Sequence, residues 1–216
     1  MVLAMVMPPP RLDLARYRAP VWAGVPARAG RKVRLRVITA DDQRRLAGFD
    51  REVADTRRVG EYRHWAAHRA DEPGDNFHFA IETLRGGLVV GSLSATQADP
   101  RSDRFSYGIG IGRQHRRCGY AGDALITLLR FMFGERGYRK CQVSIYGGNV
   151  ASLSLHAMLG FREEGRVRDT ELSRDGIKYL VLMGITDAEF AEIHPDFLAP
   201  ASRGRHWRPR GRHRDR

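Results

Sequence analysis

Ile109 to Phe133 reads IGIGRQHRRCGYAGDALITLLRFMF, and the rest of the chain is arranged around this stretch. Three parts follow one another directly. Gly108-Ile109-Gly110-Ile111 is an apolar strand end interleaved with glycine, and Arg113 to Ala121 is a basic loop containing Gly119. Then Ala121, Leu125, Leu128 and Met132 recur at spacings of 4, 3 and 4, one face of a helix. A strand that turns through a glycine into a helix start is an anion cradle. The N–H groups of the first helical turn lack intrahelical acceptors and point out of the helix end, where the helix dipole adds partial positive charge. Arg116 and Arg117 add full charges, and Gly119 lets a ligand come close to the main chain. The stretch reads as a pyrophosphate site.

Two familiar phosphate loops are excluded. The P-loop needs a Lys followed by Ser or Thr after its last glycine, and no Lys is present. The dinucleotide fingerprint needs a third glycine opening the helix, whereas Gly108-x-Gly110 lies on the strand. What stands here is R-x-x-G-x-A, written by Arg116, Gly119 and Ala121. A second run, N-x-x-S-x-x-L-x-x-x-L-G-F, is written by Asn149, Ser152, Leu155, Leu159, Gly160 and Phe161, and Glu163-Glu164-Gly165 follows it. Both runs resemble the GNAT superfamily of N-acetyltransferases. The Glu-Glu-Gly after Gly-Phe resembles its branch of ribosomal-protein N-terminal and spermidine acetyltransferases. The resemblance covers about residues 33–190.

The body of the chain fits such a domain. Its 216 residues suffice for one sizeable core, and no apolar run approaches the ~20 residues of a membrane span. The start, MVLAMVMPPP, lacks a basic leader and breaks at three prolines, so it is a poor signal peptide. Cys118 and Cys141 form no paired motif, no metal cluster is apparent, and a reducing cytoplasm is the expected compartment. The net charge of +12 belongs to the ends: residues 1–35 and 202–216 each carry seven basic residues and one Asp, while 36–201 carries 23 of each sign. The expected division is a flexible basic extension over 1–31, touching the body through Tyr17, Val21 and Trp22, an acetyl-CoA-binding domain over 32–200, and a disordered Arg-rich tail over 201–216.

Within the domain, Val33, Leu35 and Val37 alternate with arginines as a first strand. Thr39, Asp41 and Asp42 open a helix with Leu46 and Phe49 inward. A second helix is expected over Gly60–Ala70. Strands follow over Phe77–Glu82, Leu88–Ala95 and Phe105–Ile111, with a hairpin turn at Arg85-Gly86-Gly87 and a loop at Asp99-Pro100. A fifth strand spans Cys141–Tyr146. A short helix with Val150, Leu153, Ala157 and Met158 near one face stops at Gly160. Strands from Phe161 and over Tyr179–Ile185, then a helical turn, complete the order. The class is α+β: a mixed, mostly antiparallel sheet flanked by helices, as the resemblance also implies.

Acetyl-CoA as co-substrate has groups this chain can meet. The pyrophosphate suits the loop of Arg116, Arg117, Cys118, Gly119, Tyr120, Ala121 and Gly122, and the amide arm suits the main chain at Ile109 and Ile111, as an added strand would. The resemblance implies that this strand splays from its neighbour, and places Asn149 and Ser152 beside the arm; a plain helix cap is the other reading of Asn149. An amine acceptor would attack the thioester directly, which needs a proton acceptor and an acid for the thiolate. The family often has a Tyr four residues before the Gly of Leu-Gly-Phe. This chain has His156, the candidate catalytic acid. The base has no firm candidate: His78, Glu82 and Tyr107 are the residues in view, and each reads more readily as structural than as catalytic. Cys118 lies inside the loop, where an incidental position is the plainer reading beside a redox role, and Cys141 reads as core. Tyr179 stands where the branch often has Asp, which weakens any transfer of acceptor preference. A homodimer is among the assemblies this reading allows. The Arg-rich tail with Trp207 keeps a second class of function open, an RNA- or ribosome-associated module that holds CoA with little turnover.

Overall fold

The computed structural model describes residues 27–54, 77–97, 103–173 and 176–197. The expected helix over 60–70, the contacts of Tyr17, Val21 and Trp22, the loop at Asp99-Pro100 and the Arg-rich tail lie outside the described residues. In chain order the elements are β1 (Arg28–Ala29), β2 (Val33–Val37), α1 (Ala40–Ala54), β3 (Phe77–Thr83), β4 (Val89–Gln97), β5 (Arg104–Ile111), α2 (Tyr120–Arg130), β6 (Lys140–Tyr146), α3 (Val150–Met158), β7 (Arg162–Ser173), β8 (Gly176–Thr186) and α4 (Asp187–Ile193). A tight turn at Arg113–His115 leads toward α2, and a wider turn over Phe131–Glu135 extends it.

Among the described residues the strands form one sheet in the order β1-β2-β3-β4-β5-β6-β8-β7. Every neighbouring pair is antiparallel except β5 and β6, which run parallel. The expected α+β class is the observed one. Two features differ from the sequence pattern: β1 is an additional short strand, and β8 inserts between β6 and β7. The expected bend near Gly165 is present as a register shift between Glu163 and Gly165.

Alternation explains the strands. β2 buries Val33 and Leu35 and turns Arg34 outward, and β6 buries Cys141, Val143 and Ile145. β3 is covered on both faces. Phe77 and Phe79 meet the edge of the Phe131 ring at 5.2 and 6.2 Å. On the opposite face Glu82 takes Arg34 and Arg36, and Arg36 reaches Asp42 in the first turn of α1 at 2.6 Å. α2 presents Leu125, Leu128 and Leu129 to the core, each without exposed surface. Full burial of such a side chain contributes about 1.5–3 kcal/mol. Thr186 and Glu189 form a reciprocal capping box at the start of α4, whose Phe190 packs on Phe133 and Phe197.

α3 departs from its apolar pattern. Val150 is 66% and Met158 76% exposed, while His156 is buried at 3%. Ser152, His156 and Leu159 fall four and three residues apart, so one helical face carries them inward. Gly160 takes a left-handed φ of 91°, which ends the helix as expected.

Candidate functional site

The site begins where two parallel strands part. β5 and β6 pair only at Arg104–Lys140 and Phe105–Cys141, and from there β6 continues with β8 as its partner to Tyr146. The β4–β5 register decides what β5 offers to the opening. Gly112 N–H donates to the Val90 carbonyl at 2.9 Å, and the register runs unbroken from Gly91–Ile111 to Gln97–Phe105. N–H and C=O directions alternate along a strand, so the even residues of β5 face β4. Tyr107, Ile109 and Ile111 therefore aim their main-chain groups away from β4, into the gap. Parallel pairing has the same sense, since Arg139 and Lys140 N–H both donate to the Asp103 carbonyl.

At the far end of β5 the chain enters the basic loop. Arg117 has φ 61° and Gly119 φ 78°, so two nearby residues are left-handed and the main chain curls into a cup. Gly119 is the N-cap of α2 and no side chain caps the helix, so the N–H groups of Tyr120, Ala121 and Gly122 emerge from its end. Arg116 folds back, its Nε donating to the Ile111 carbonyl at 3.2 Å, while Arg117 and Cys118 are exposed. Lys32 Nζ donates to the Cys118 carbonyl at 2.9 Å, adding a cation to the rim. Asp123 Oδ1 accepts from Arg31 N–H and Oδ2 from Lys32 and Val33 N–H, at 2.9, 2.7 and 2.9 Å. Sequence periodicity did not mark Lys32 or Asp123. Their partners lie about ninety residues away, and only an acid in the first turn of a helix hinted at a role.

α3 closes the gap from one side. The Leu155 side chain stands 3.6 Å from where a Cβ on Gly122 would lie, so a small residue there lets α3 and α2 meet. Asn149 Oδ1 accepts the Ser152 N–H at 3.2 Å, so Asn149 is the N-cap of α3. His156 points inward. Its Nδ1 lies 2.7 Å from the Ser152 carbonyl and its Nε2 lies 2.7 Å from the Tyr107 hydroxyl. Phe161 packs edge-on against its ring at 5.1 Å. Burial lowers the pKa of His156, and the Ser152 carbonyl raises it by less. Of the expected site residues, the structure brings the loop, β5 and α3 around one opening, with His156 at its root.

A family model described as Acetyltransferase (GNAT) domain matches residues 32–162. The chain belongs to the GNAT acetyltransferase family. Similar proteins include the SPbeta prophage-derived uncharacterized N-acetyltransferase YokL of Bacillus subtilis (strain 168), 27% identical over 173 residues that cover 76% of this chain and 96% of that protein. A GCN5-related N-acetyltransferase from Brucella melitensis superposes with a TM-score of 0.64 at 21% identity, covering 80% of this chain and 83% of that one. Mutant forms of the spermidine/spermine N-acetyltransferase SpeG from Vibrio cholerae superpose with a TM-score of 0.59 at 14% identity, covering 74% and 97%. At these identities the superpositions establish the fold.

GNAT acetyltransferases use acetyl-CoA, and the donor set of this chain fits that molecule. The left-handed cup and uncapped helix start present N–H donors of the kind a pyrophosphate takes, and Ile109 turns its main-chain groups away from β4, as an amide arm would require. Of the candidate bases, Glu82 is committed elsewhere. Burial would raise its pKa, but hydrogen bonds from Arg36 and Arg34 outweigh that and hold it below the ordinary range. Tyr179 lies against Gly147, whose N–H donates to the Tyr179 carbonyl at 2.9 Å, and places no carboxylate at that end of the gap.

Proposed function

We propose that this GNAT chain is an acetyl-CoA-dependent N-acetyltransferase that acetylates a primary amine within a ternary complex. The observation that carries this reading is the juxtaposition of a left-handed loop at an uncapped helix start with a strand that keeps β6 as its neighbour only at Arg104 and Phe105. Bound acetyl-CoA supplies an activated acetyl thioester. Arg116, Arg117, Cys118, Gly119, Tyr120, Ala121 and Gly122 hold the pyrophosphate through main-chain N–H groups and local positive charge. Ile109 and Ile111 align the arm as an added strand, with Asn149 and Ser152 on the facing helix start. An Ile109 N–H in the gap stabilises an acyl oxygen as it gains charge. His156 takes part in proton transfer.

The acceptor is a protein N-terminus, a polyamine or a small aminated metabolite. SpeG, a fold neighbour named for spermidine and spermine, supports including polyamines. Unpaired Cys118 and Cys141 support a cytoplasmic setting. The binding-module alternative drew on the Arg-rich tail, which lies outside the described residues.

The test is a panel of amines and peptide N-termini with acetyl-, propionyl- and succinyl-CoA, read as CoA release. Turnover with an amine and acetyl-CoA is expected. A folded protein that binds CoA and acetylates none of them would overturn the enzyme reading.

A further inference from the structure

From Asn149 to Phe161 the chain reads NVASLSLHAMLGF and carries no Asp, Glu, Lys or Arg, in a protein 29% of whose residues are charged. α3 occupies Val150–Met158 of this run. Its inward face is accounted for by His156 and, just past its end, Leu159, both buried. The outward face is uncharged as well. Val150 and Met158 are largely exposed, and Ala151, Ser154 and Ala157 lie exposed between them. A surface helix ordinarily turns charged side chains to water, so an uncharged outer face with projecting apolar residues has the pattern of an interaction surface.

Beside this ridge lies a hollow of about 310 Å³, with Leu153, Ala157, Val181 and Met183 in its lining and Glu163 and Arg166 at its rim. Arg166 Nε donates to Glu163 Oε1 at 2.7 Å, so the two rim charges are paired with each other and the face has no net charge. The whole chain has a formal net charge of +12. Two copies therefore repel where their basic surfaces meet and approach most easily at a neutral face such as this one. The order of residues on α3 also suits a second copy. Val150 and Met158 stand four residues to either side of Ser154, and Ala151 and Ala157 stand three. An antiparallel crossing of α3 with α3 of a second copy at Ser154 puts small residues where the helices come closest and the larger side chains at the flanks. A face with both a projecting methionine and an apolar hollow can be joined to itself by a two-fold axis.

We infer that the outer face of α3 is the contact of a two-fold symmetric dimer of this chain, in which the two α3 helices cross antiparallel at Ser154 and Met158 of each copy enters the hollow of the other. Apolar burial drives this association, and no charge pair spans it. Salt therefore does not weaken it, and screening of two like-charged bodies favours it. The inner face of α3, with Ser152 and His156, stays within its own chain, so the inference does not depend on the acetyltransferase reading.

Sedimentation equilibrium of the full chain is expected to give twice the chain mass of 24.4 kDa, with a dimer fraction that holds or grows as salt is added. A monomer even at the highest soluble concentration, or a dimer that salt dissolves, would overturn the inference. Val150→Glu and Met158→Glu place an unpaired carboxylate in the apolar contact, and each is expected to raise the dimer dissociation constant by ~10²-fold or more. Both side chains are exposed in the single chain, so the variants are expected to keep the wild-type circular dichroism spectrum. Unchanged dimer affinity in the two folded variants would put the contact elsewhere and overturn the α3 interface. A near-neutral substitution tests the crossing point. Ser154→Cys, with Cys118→Ser to remove the exposed thiol, is expected to form a disulfide between copies under mild oxidation, whereas Glu192→Cys on α4 in the same background is not. Absence of the Ser154→Cys cross-link in a protein that sediments as a dimer would overturn the antiparallel crossing.

Discussion

Asp123 Oδ2 accepts the main-chain N–H of Lys32 at 2.7 Å, so the first turn of α2 holds the start of β2 in place. The same carboxylate also takes Arg31 and Val33 N–H, and Lys32 in turn reaches the Cys118 carbonyl. An acid in a helix's first turn is favoured by the dipole. Here it also joins the first strands to the anion loop, which makes loop geometry depend on a contact outside the loop.

Replacing Asp123 by Ala leaves three main-chain donors without this acceptor. The expected loss is on the order of 2–3 kcal/mol in urea unfolding, with weaker CoA binding in calorimetry. Asp123→Asn keeps one acceptor oxygen and should fall between. Wild-type stability in the Ala variant would show that water replaces the carboxylate at no cost.

Gly119→Val tests the loop itself. A β-branched residue at φ 78° is strained by ~1–2 kcal/mol, and its Cβ would come 2.9 Å from Lys32 Nζ. The lysine end can move, but the backbone cannot relax without opening the cup. CoA-induced thermal stabilisation is expected to disappear. Unchanged CoA affinity in a folded Gly119→Val protein would rule out this loop as the pyrophosphate site.

Asp42 carries a pH dependence of known sign. The Arg36 hydrogen bond is the largest influence and, with the bonds from Thr39, outweighs burial and holds the carboxyl well below its ordinary 3.8. A depressed carboxylate stabilises the fold above its unfolded pKa, and that stability is lost as pH falls from about 3.8 toward the lower folded value. Asp42→Asn should therefore lower stability at neutral pH and flatten its decline in acid. Equal acid slopes in chemical denaturation series of the two proteins would refute the coupling.

Much of the fold was legible because its signals are local. Alternation in Val33–Val37 and Cys141–Tyr146, the Gly86-Gly87 turn and the 4-3-4 spacing in α2 depend on neighbours within one element, and the structure reproduces them. The helix after Asn149 was placed correctly, but its face was misread. Val150 and Met158 are apolar yet exposed, and His156 is polar yet buried. Hydropathy ranks side chains one at a time, whereas a buried imidazole is stable once both nitrogens have partners, and one of those partners is 49 residues away.

By itself the sequence determined the strand–loop–helix order around Gly119, the α+β class and the family resemblance, since each is written in consecutive residues or fixed spacings. Only the tertiary structure decided that β8 enters between β6 and β7, that Asp123 binds the start of β2, and that the Tyr107 hydroxyl meets His156 Nε2. Those relationships join segments distant in the chain. Their physical cause is the satisfaction of buried polar groups after the sheet has closed, which no local pattern encodes.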